Sequence, residues 1–128
     1  MNLNQVTIKS YDLEISKTFY QKMGFTLIVD TPHYLRFHCP QGDATFSLSL
    51  VSKDTPLDPN GVSIYFEFPD AEQLDKKVDE MLQVGFEFMS MPQDERWLWR
   101  EACLLDPMGY EIILYHAGEN RVNPPWRV

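Results

Sequence analysis

The 128-residue sequence predicts an α+β fold made of two tandem βαβββ modules. Three observations predict it. The order strand, helix, strand, hairpin runs through the chain twice. In each half an aspartate stands just after the first strand, where a helix N-cap is needed: Asp12 in one and Asp70 in the other. Each half also ends on a hairpin whose turn carries Pro-x-Gly: Pro40-Gln41-Gly42 in one, Pro107-Met108-Gly109 in the other. Marks that recur in the same order are the signature of an internal repeat.

The elements follow from local chemistry. Gln5 to Lys9 alternates polar and apolar residues at the period of a half-buried strand. Asp12 can accept hydrogen bonds from the free N–H groups of a helix start. Ile15, Phe19 and Met23 recur at helical spacing and form the expected inner stripe, and Gly24 is the permissive stop. Phe25 to Val29 reads as the second strand. Tyr34 to Cys39 and Thr45 to Val51 then form a hairpin around Pro40-Gln41-Gly42-Asp43. A linker near Pro56 to Asn60 separates module one (1–57) from module two (58–128) of a single domain.

The second module repeats the pattern. Val62 to Phe68 is a strand, and Asp70 stands at the N-cap position. Leu74, Val78, Met81 and Leu82 make the apolar helix stripe, with Gly85 at its end. Phe86 to Met89 reads as a short strand. Trp97 to Leu105 and Glu111 to His116 pair around Asp106-Pro107-Met108-Gly109.

Hydrophobic residues at 44% and charged residues at 23% are ordinary usage for a folded domain. A net charge of −8 repels a phosphate backbone, so no nucleic-acid partner is expected. No apolar run reaches bilayer-spanning length, and Met1-Asn2-Leu3-Asn4 lacks the regions of a secretion signal, so no membrane role is expected. Cys39 and Cys103 form no CxxC pair; two structural thiols in a reduced, cytoplasmic setting is the simplest reading.

Strand alternation divides each sheet into a side beneath the helix and a side facing away from it. The away-facing set comprises Gln5, Thr7 and Lys9; Tyr34, Arg36 and His38; Thr45, Ser47 and Ser49; Ser63, Tyr65 and Glu67; and Glu111, Ile113 and Tyr115. Small hydroxyls mixed with aromatics and a few charges suit a pocket for a compact organic molecule. A solvated antiparallel face has a similar composition. Arg36, His38, Ser47, Ser63, Tyr65, Glu67 and Tyr115 are the candidate ligand-binding residues. Arg36 suits an anionic ligand, because its fork can grip a carboxylate or phosphate. An Arg36–Glu67 ion pair is the structural alternative.

The run Asp12-Leu13-Glu14, Phe19-Tyr20 and Gly24-Phe25, followed later by Leu105-Asp106-Pro107-Met108-Gly109-Tyr110-Glu111-Ile112, resembles the vicinal oxygen chelate superfamily. That superfamily groups glyoxalase I, extradiol dioxygenases and bleomycin-resistance proteins. The resemblance implies curved mixed sheets enclosing a cavity, and frequent pairing of halves as a homodimer. Metal-using members place one ligand early in the first strand and one on the last strand of each half, usually His and Glu. Carried over through the repeat, those positions are Gln5, Ser47, Ser63 and Ile113. None is a strong ligand, so no metal and no other cofactor is expected. The reading is therefore a small-molecule-binding protein. The alternative is a metal-dependent lyase, isomerase or ring-cleaving dioxygenase with displaced ligands, for which Glu67, Glu111 and His38 are the candidates. An interaction module is a third reading.

Other marked residues have plainer roles. His33 is expected on a surface loop and His116 at a sheet end. Trp97-Leu98-Trp99-Arg100 fits either a packed seam or a pocket rim. The tail Asn123-Pro124-Pro125-Trp126 is expected to run extended, with Trp126 either anchoring it or left free.

Overall fold

The computed structural model describes residues 1–128 and divides them into two compact units, Met1–Asp58 and Pro59–Val128. Unit one holds β1 (Gln5–Ser10), α1 (Leu13–Met23), β2 (Thr26–Asp30), β3 (Tyr34–His38) and β4 (Thr45–Leu50). Unit two holds β5 (Ser63–Glu67), α2 (Ala71–Gln83), β6 (Ser90–Asp94), β7 (Arg100–Leu105) and β8 (Glu111–His116). Each forms one open, curled four-stranded sheet, in the order β1-β4-β3-β2 and β5-β8-β7-β6. The first and last strands of each unit pair in parallel and the remaining pairs are antiparallel. The fold class is α+β with two βαβββ modules.

In unit one the Asp12 side chain accepts from the Glu14 and Ile15 amides, and Gly24 closes α1 at φ 113°. The buried face of α1 is Leu13, Ser16, Tyr20 and Met23. Of the expected stripe Met23 is buried, but Ile15 is 53% exposed, and Ser16 and Tyr20 take the inner positions expected for Ile15 and Phe19. Tyr20 explains the phase: its ring packs on Phe25, Phe37 and Phe46, with centroids 4.8 to 5.9 Å away. Ser16 tolerates burial because its hydroxyl pairs with that of Ser10 at 2.9 Å. Leu35, Phe37, Phe46 and Leu48 complete this core.

In unit two Asp70 caps α2 by accepting from the Gln73 amide. Leu74, Val78 and Met81 are buried, whereas Leu82 is exposed and lies off the stripe. Arg100 on β7 is bound by Asp75 of α2 at 2.9 Å, which marks the helix side of this sheet. Ala102, Leu104, Ile112, Leu114 and Ile64 share that side by alternation and are buried.

Two strand expectations in unit two are corrected. Phe86 to Met89 is not a strand; the Phe86 amide donates to the Met81 carbonyl at the end of α2, and Phe86 is buried. The strand is Ser90–Asp94, which contains Pro92. A proline without an N–H is tolerated there because β6 is the sheet edge. The next strand begins at Arg100 rather than Trp97, because Glu95–Trp99 is a turn closed by the Glu95 amide on the Trp99 carbonyl. The tail departs from an extended course, since Arg127 N–H donates to the Pro124 carbonyl in a turn; Trp126 is 56% exposed, in line with the second of its two expected roles.

Candidate functional site

The away-facing side of unit one is a polar ladder. The parallel pairing of β1 with β4 sets Gln5 beside Thr45 and Thr7 beside Ser47. The antiparallel pairing of β3 with β4 then sets Arg36 beside Ser47, and His38 beside Thr45. The Thr45 hydroxyl donates to Gln5 Oε1, and the Thr7 and Ser47 hydroxyls share a bond, each at 2.6 Å. Arg36 Nε donates to the Tyr34 hydroxyl at 3.0 Å, with the guanidinium carbon 5.3 Å from that ring's centre. Burial pushes the Tyr34 phenol upward, but hydrogen bonds with Ser47 and Arg36, and the guanidinium charge, outweigh it and hold the phenol below its ordinary range.

Unit two presents an aromatic and acidic side. Tyr65, 46% exposed, stands edge-on to Trp99 and Tyr115 at 5.9 and 5.4 Å. Trp99 stacks on Tyr115 at 4.8 Å, over a small cluster of Ile113, Tyr115 and Ala117. The polar ends of these rings are taken: Trp99 Nε1 donates to the Asn120 carbonyl, and the Tyr115 hydroxyl donates to Glu67 Oε2 at 2.8 Å. Arg121, on the 3-10 turn Gly118–Arg121, binds the same oxygen at 2.9 Å. Ser63 donates to Glu111 Oε1 at 2.7 Å, and Trp97 Nε1 to Glu101 Oε1 at 2.8 Å. Burial, then Glu101 and Glu111, raise the Tyr65 phenol. Burial, then Glu111 and Glu101, push the Cys103 thiol up to about 11. One half thus carries a tyrosine tuned down by hydrogen bonds with Ser47 and Arg36 and by the Arg36 charge, and the other carries groups tuned up by burial and acids.

Among the candidate residues, Arg36 and Ser47 come together in unit one, with His38 at the end of the same strand. Ser47 is fully buried, and its hydroxyl belongs to Thr7 and Tyr34. Ser63, Tyr65, Glu67 and Tyr115 share one side of unit two. Within unit two Glu67 is bound by Tyr115 and Arg121, and within unit one Arg36 is bound to Tyr34. His116 closes the sheet end through Nδ1 and the Phe68 carbonyl, 2.9 Å apart. Tyr34, Trp99 and Arg121 were not among the candidates. Tyr34 could have been found from its i, i+2 spacing to Arg36 on one strand face. Trp99 was legible only as half of a conspicuous Trp-x-Trp, and Arg121 carried no signal, because its contact depends on the path of the chain beyond β8.

The donor set at the positions carried over for metal ligands does not suit a divalent cation. Gln5 and Ser47 are neutral donors already engaged with Thr45 and Thr7, Ser63 donates to Glu111, and Ile113 has no donor atom. No three His, Cys, Asp or Glu side chains form a group able to hold a metal ion. The displaced-ligand alternative meets a geometric obstacle within unit two. Glu111 is level with Ser63 and Glu67 is four residues further along β5, about 13 Å at a strand's rise per residue.

Paired βαβββ modules, each with a helix on one side of its sheet and a built face on the other, define a class of small α+β proteins. The chain belongs to the glyoxalase/bleomycin resistance protein/dioxygenase superfamily, whose family model matches residues 2–114. A search of curated proteins finds no match. Among solved structures, a glyoxalase/bleomycin resistance protein/dioxygenase from Nocardioides is similar, at 20% identity and TM-score 0.76, over 100% of this chain and 89% of that one. Lactoylglutathione lyase from Agrobacterium tumefaciens is similar at 13% identity and TM-score 0.77, over 95% and 96%. The bleomycin resistance determinant encoded on transposon Tn5 follows at 20% and 0.71, over 91% and 98%. At these identities the likeness is one of fold. No helix is long and apolar enough to cross a membrane.

Proposed function

We propose that this chain is a cytoplasmic, homodimeric protein that binds a small organic molecule carrying an anionic group, without the superfamily's usual divalent metal. The observation that carries this reading is Arg36. Within its unit the guanidinium has the Tyr34 hydroxyl as acceptor and no carboxylate, which leaves both terminal nitrogens for a ligand. In a chain of net charge −8, a guanidinium with no carboxylate partner in its unit is a natural place for an anion. His38 stands two residues along the same strand face as a second polar contact. Ser63, Tyr65, Glu67 and Tyr115 supply the aromatic and polar surface of unit two. A bleomycin-binding protein complexed with bleomycin has a similar fold (19% identity, TM-score 0.70, covering 91% of this chain and 98% of that one), which supports ligand holding as a use of this architecture.

Sequestration requires binding alone, with no bond made or broken. The test is a thermal-shift and calorimetric screen of small carboxylates and organophosphates, repeated on Arg36→Ala. The substitution is expected to weaken binding by about 1.5 to 3 kcal/mol, the range for a hydrogen bond to a charged group, with little change in melting. Unchanged affinity for every compound that the wild type binds would remove Arg36 as the anchor.

A further inference from the structure

The polar ladder of unit one has a layered construction. Its deepest member is Ser47, fully buried and bonded to Thr7 at 2.6 Å. The Tyr34 hydroxyl lies next, in contact with Ser47, Gln5 and Arg36. Arg36 is outermost, held at Nε by that hydroxyl at 3.0 Å, with the guanidinium carbon 5.3 Å from the Tyr34 ring centre. A free arginine samples many rotamers and loses that freedom when it binds. Here the bond to one neighbour fixes the Nε edge of the guanidinium.

We infer that Tyr34 is the positioning residue of the anion site, holding Arg36 so that only its two terminal nitrogens face an incoming oxyanion. This rests on the proposed role of Arg36. Tyr34 does not bind the ligand in this scheme; it sets the geometry of the residue that does. Ser47 acts one layer further down, by seating the Tyr34 hydroxyl, which explains a buried serine at a position where its counterpart in unit two is Ile113.

The arrangement gives the site its own pH signature. The Tyr34 hydroxyl is bonded to Arg36 on its own strand, Ser47 on β4 and Gln5 on β1; Lys9 of β1 lies level with Tyr34 across Ser49, and His38 stands two residues beyond Arg36, so of the charged and titratable groups on this face Arg36 is the one bonded to the phenol. The phenol is held below its ordinary range. When it loses its proton, the phenolate becomes an internal partner for Arg36 and competes with the bound anion. Anion affinity should therefore fall as pH rises through the phenol's titration, well before arginine itself deprotonates.

The experiment uses the full chain and phenylpyruvate as the probe, with dissociation constants measured by calorimetry from neutral to alkaline pH. Wild type, Tyr34→Phe and Arg36→Ala are compared, and tyrosinate absorbance is titrated in all three. Tyr34→Phe keeps the ring and loses the hydroxyl. It is expected to bind about three- to tenfold more weakly at neutral pH, as for one lost hydrogen bond, and to lose the alkaline decline. The absorbance titration should show an early tyrosine that is absent in Tyr34→Phe and moves upward in Arg36→Ala. If Arg36→Ala weakens binding but Tyr34→Phe matches wild type in affinity and pH profile, the positioning role is overturned while the anion site stands. If neither substitution changes affinity, or the probe does not bind and no early tyrosine titrates, both readings fall.

Discussion

Ser63 donates its hydroxyl to Glu111 across the parallel β5–β8 pair at 2.7 Å, and Gln5 accepts from Thr45 at the matching place in β1–β4. The first-strand positions of the two modules therefore do equivalent work, each tied to the start of the last strand. A Ser–Glu bond and a Gln–Thr bond hold strands together with neutral donors and leave no imidazole for a cation. The first prediction follows. Purified protein should carry well under one equivalent of zinc, nickel, iron or manganese, and chelator should leave its melting temperature unchanged. Bound metal stabilises by mass action, so a fall of several degrees on chelation would favour a metal-dependent enzyme.

Alkaline pH should destabilise the fold through Tyr115. Burial first, and then the hydrogen bond to Glu67, raise its phenol above the ordinary tyrosine range. Its contribution to stability is full below the unfolded value near 10 and is lost as pH climbs towards the folded value, because only the unfolded chain then releases the proton. The expected slope in that window is about −1.4 kcal/mol per pH unit from this one group. Denaturant melts of wild type and Tyr115→Phe across that range check it; the phenylalanine variant should decline less steeply.

Leu98 is the one non-glycine residue at positive φ, 68°, and its side chain is 47% exposed at the β6–β7 turn. A left-handed conformation costs a β-carbon residue about 1 to 2 kcal/mol, and glycine gives back about 0.5 to 1 of that in backbone entropy. Leu98→Gly should therefore stabilise the protein by roughly 0.5 to 1 kcal/mol. A melting temperature below wild type would show that the leucine side chain is buried in the working assembly.

Assembly has a direct measure. Light scattering should give twice the 15.0 kDa chain mass at working concentrations. Trp97 is exposed on the chain, and replacing it by serine is expected to shift the mass towards one chain if its turn forms the contact.

The repeat, the helix starts and the Pro-x-Gly hairpins were legible because they depend on local chemistry: an aspartate beside free amides, glycines at positive φ, and alternating side chains. The equivalence of Gln5 and Ser63 followed as well: each lies seven residues before its helix-capping aspartate and pairs with the first residue of its unit's last strand. The helix phase was harder. Ile15 is more apolar than Ser16, yet Ser16 is inside, because Ser10 supplies the hydrogen bond that makes its burial tolerable. Pro92 hid β6 for a related reason: its position at a sheet edge is a fact of topology.

The candidate faces divide in the same way. Strand parity alone put Arg36, Ser47, Tyr65, Glu67 and Tyr115 on the sides away from the helices, because alternation is fixed by the backbone. Tertiary structure decided their partners: Tyr34 for Arg36, Arg121 for Glu67, Trp99 for Tyr115. Those pairings depend on chain segments far apart in sequence, or on turns whose course no periodicity encodes. A hydrogen bond is set by distances of a few tenths of an ångström, and such distances arise only once the sheet has closed its register.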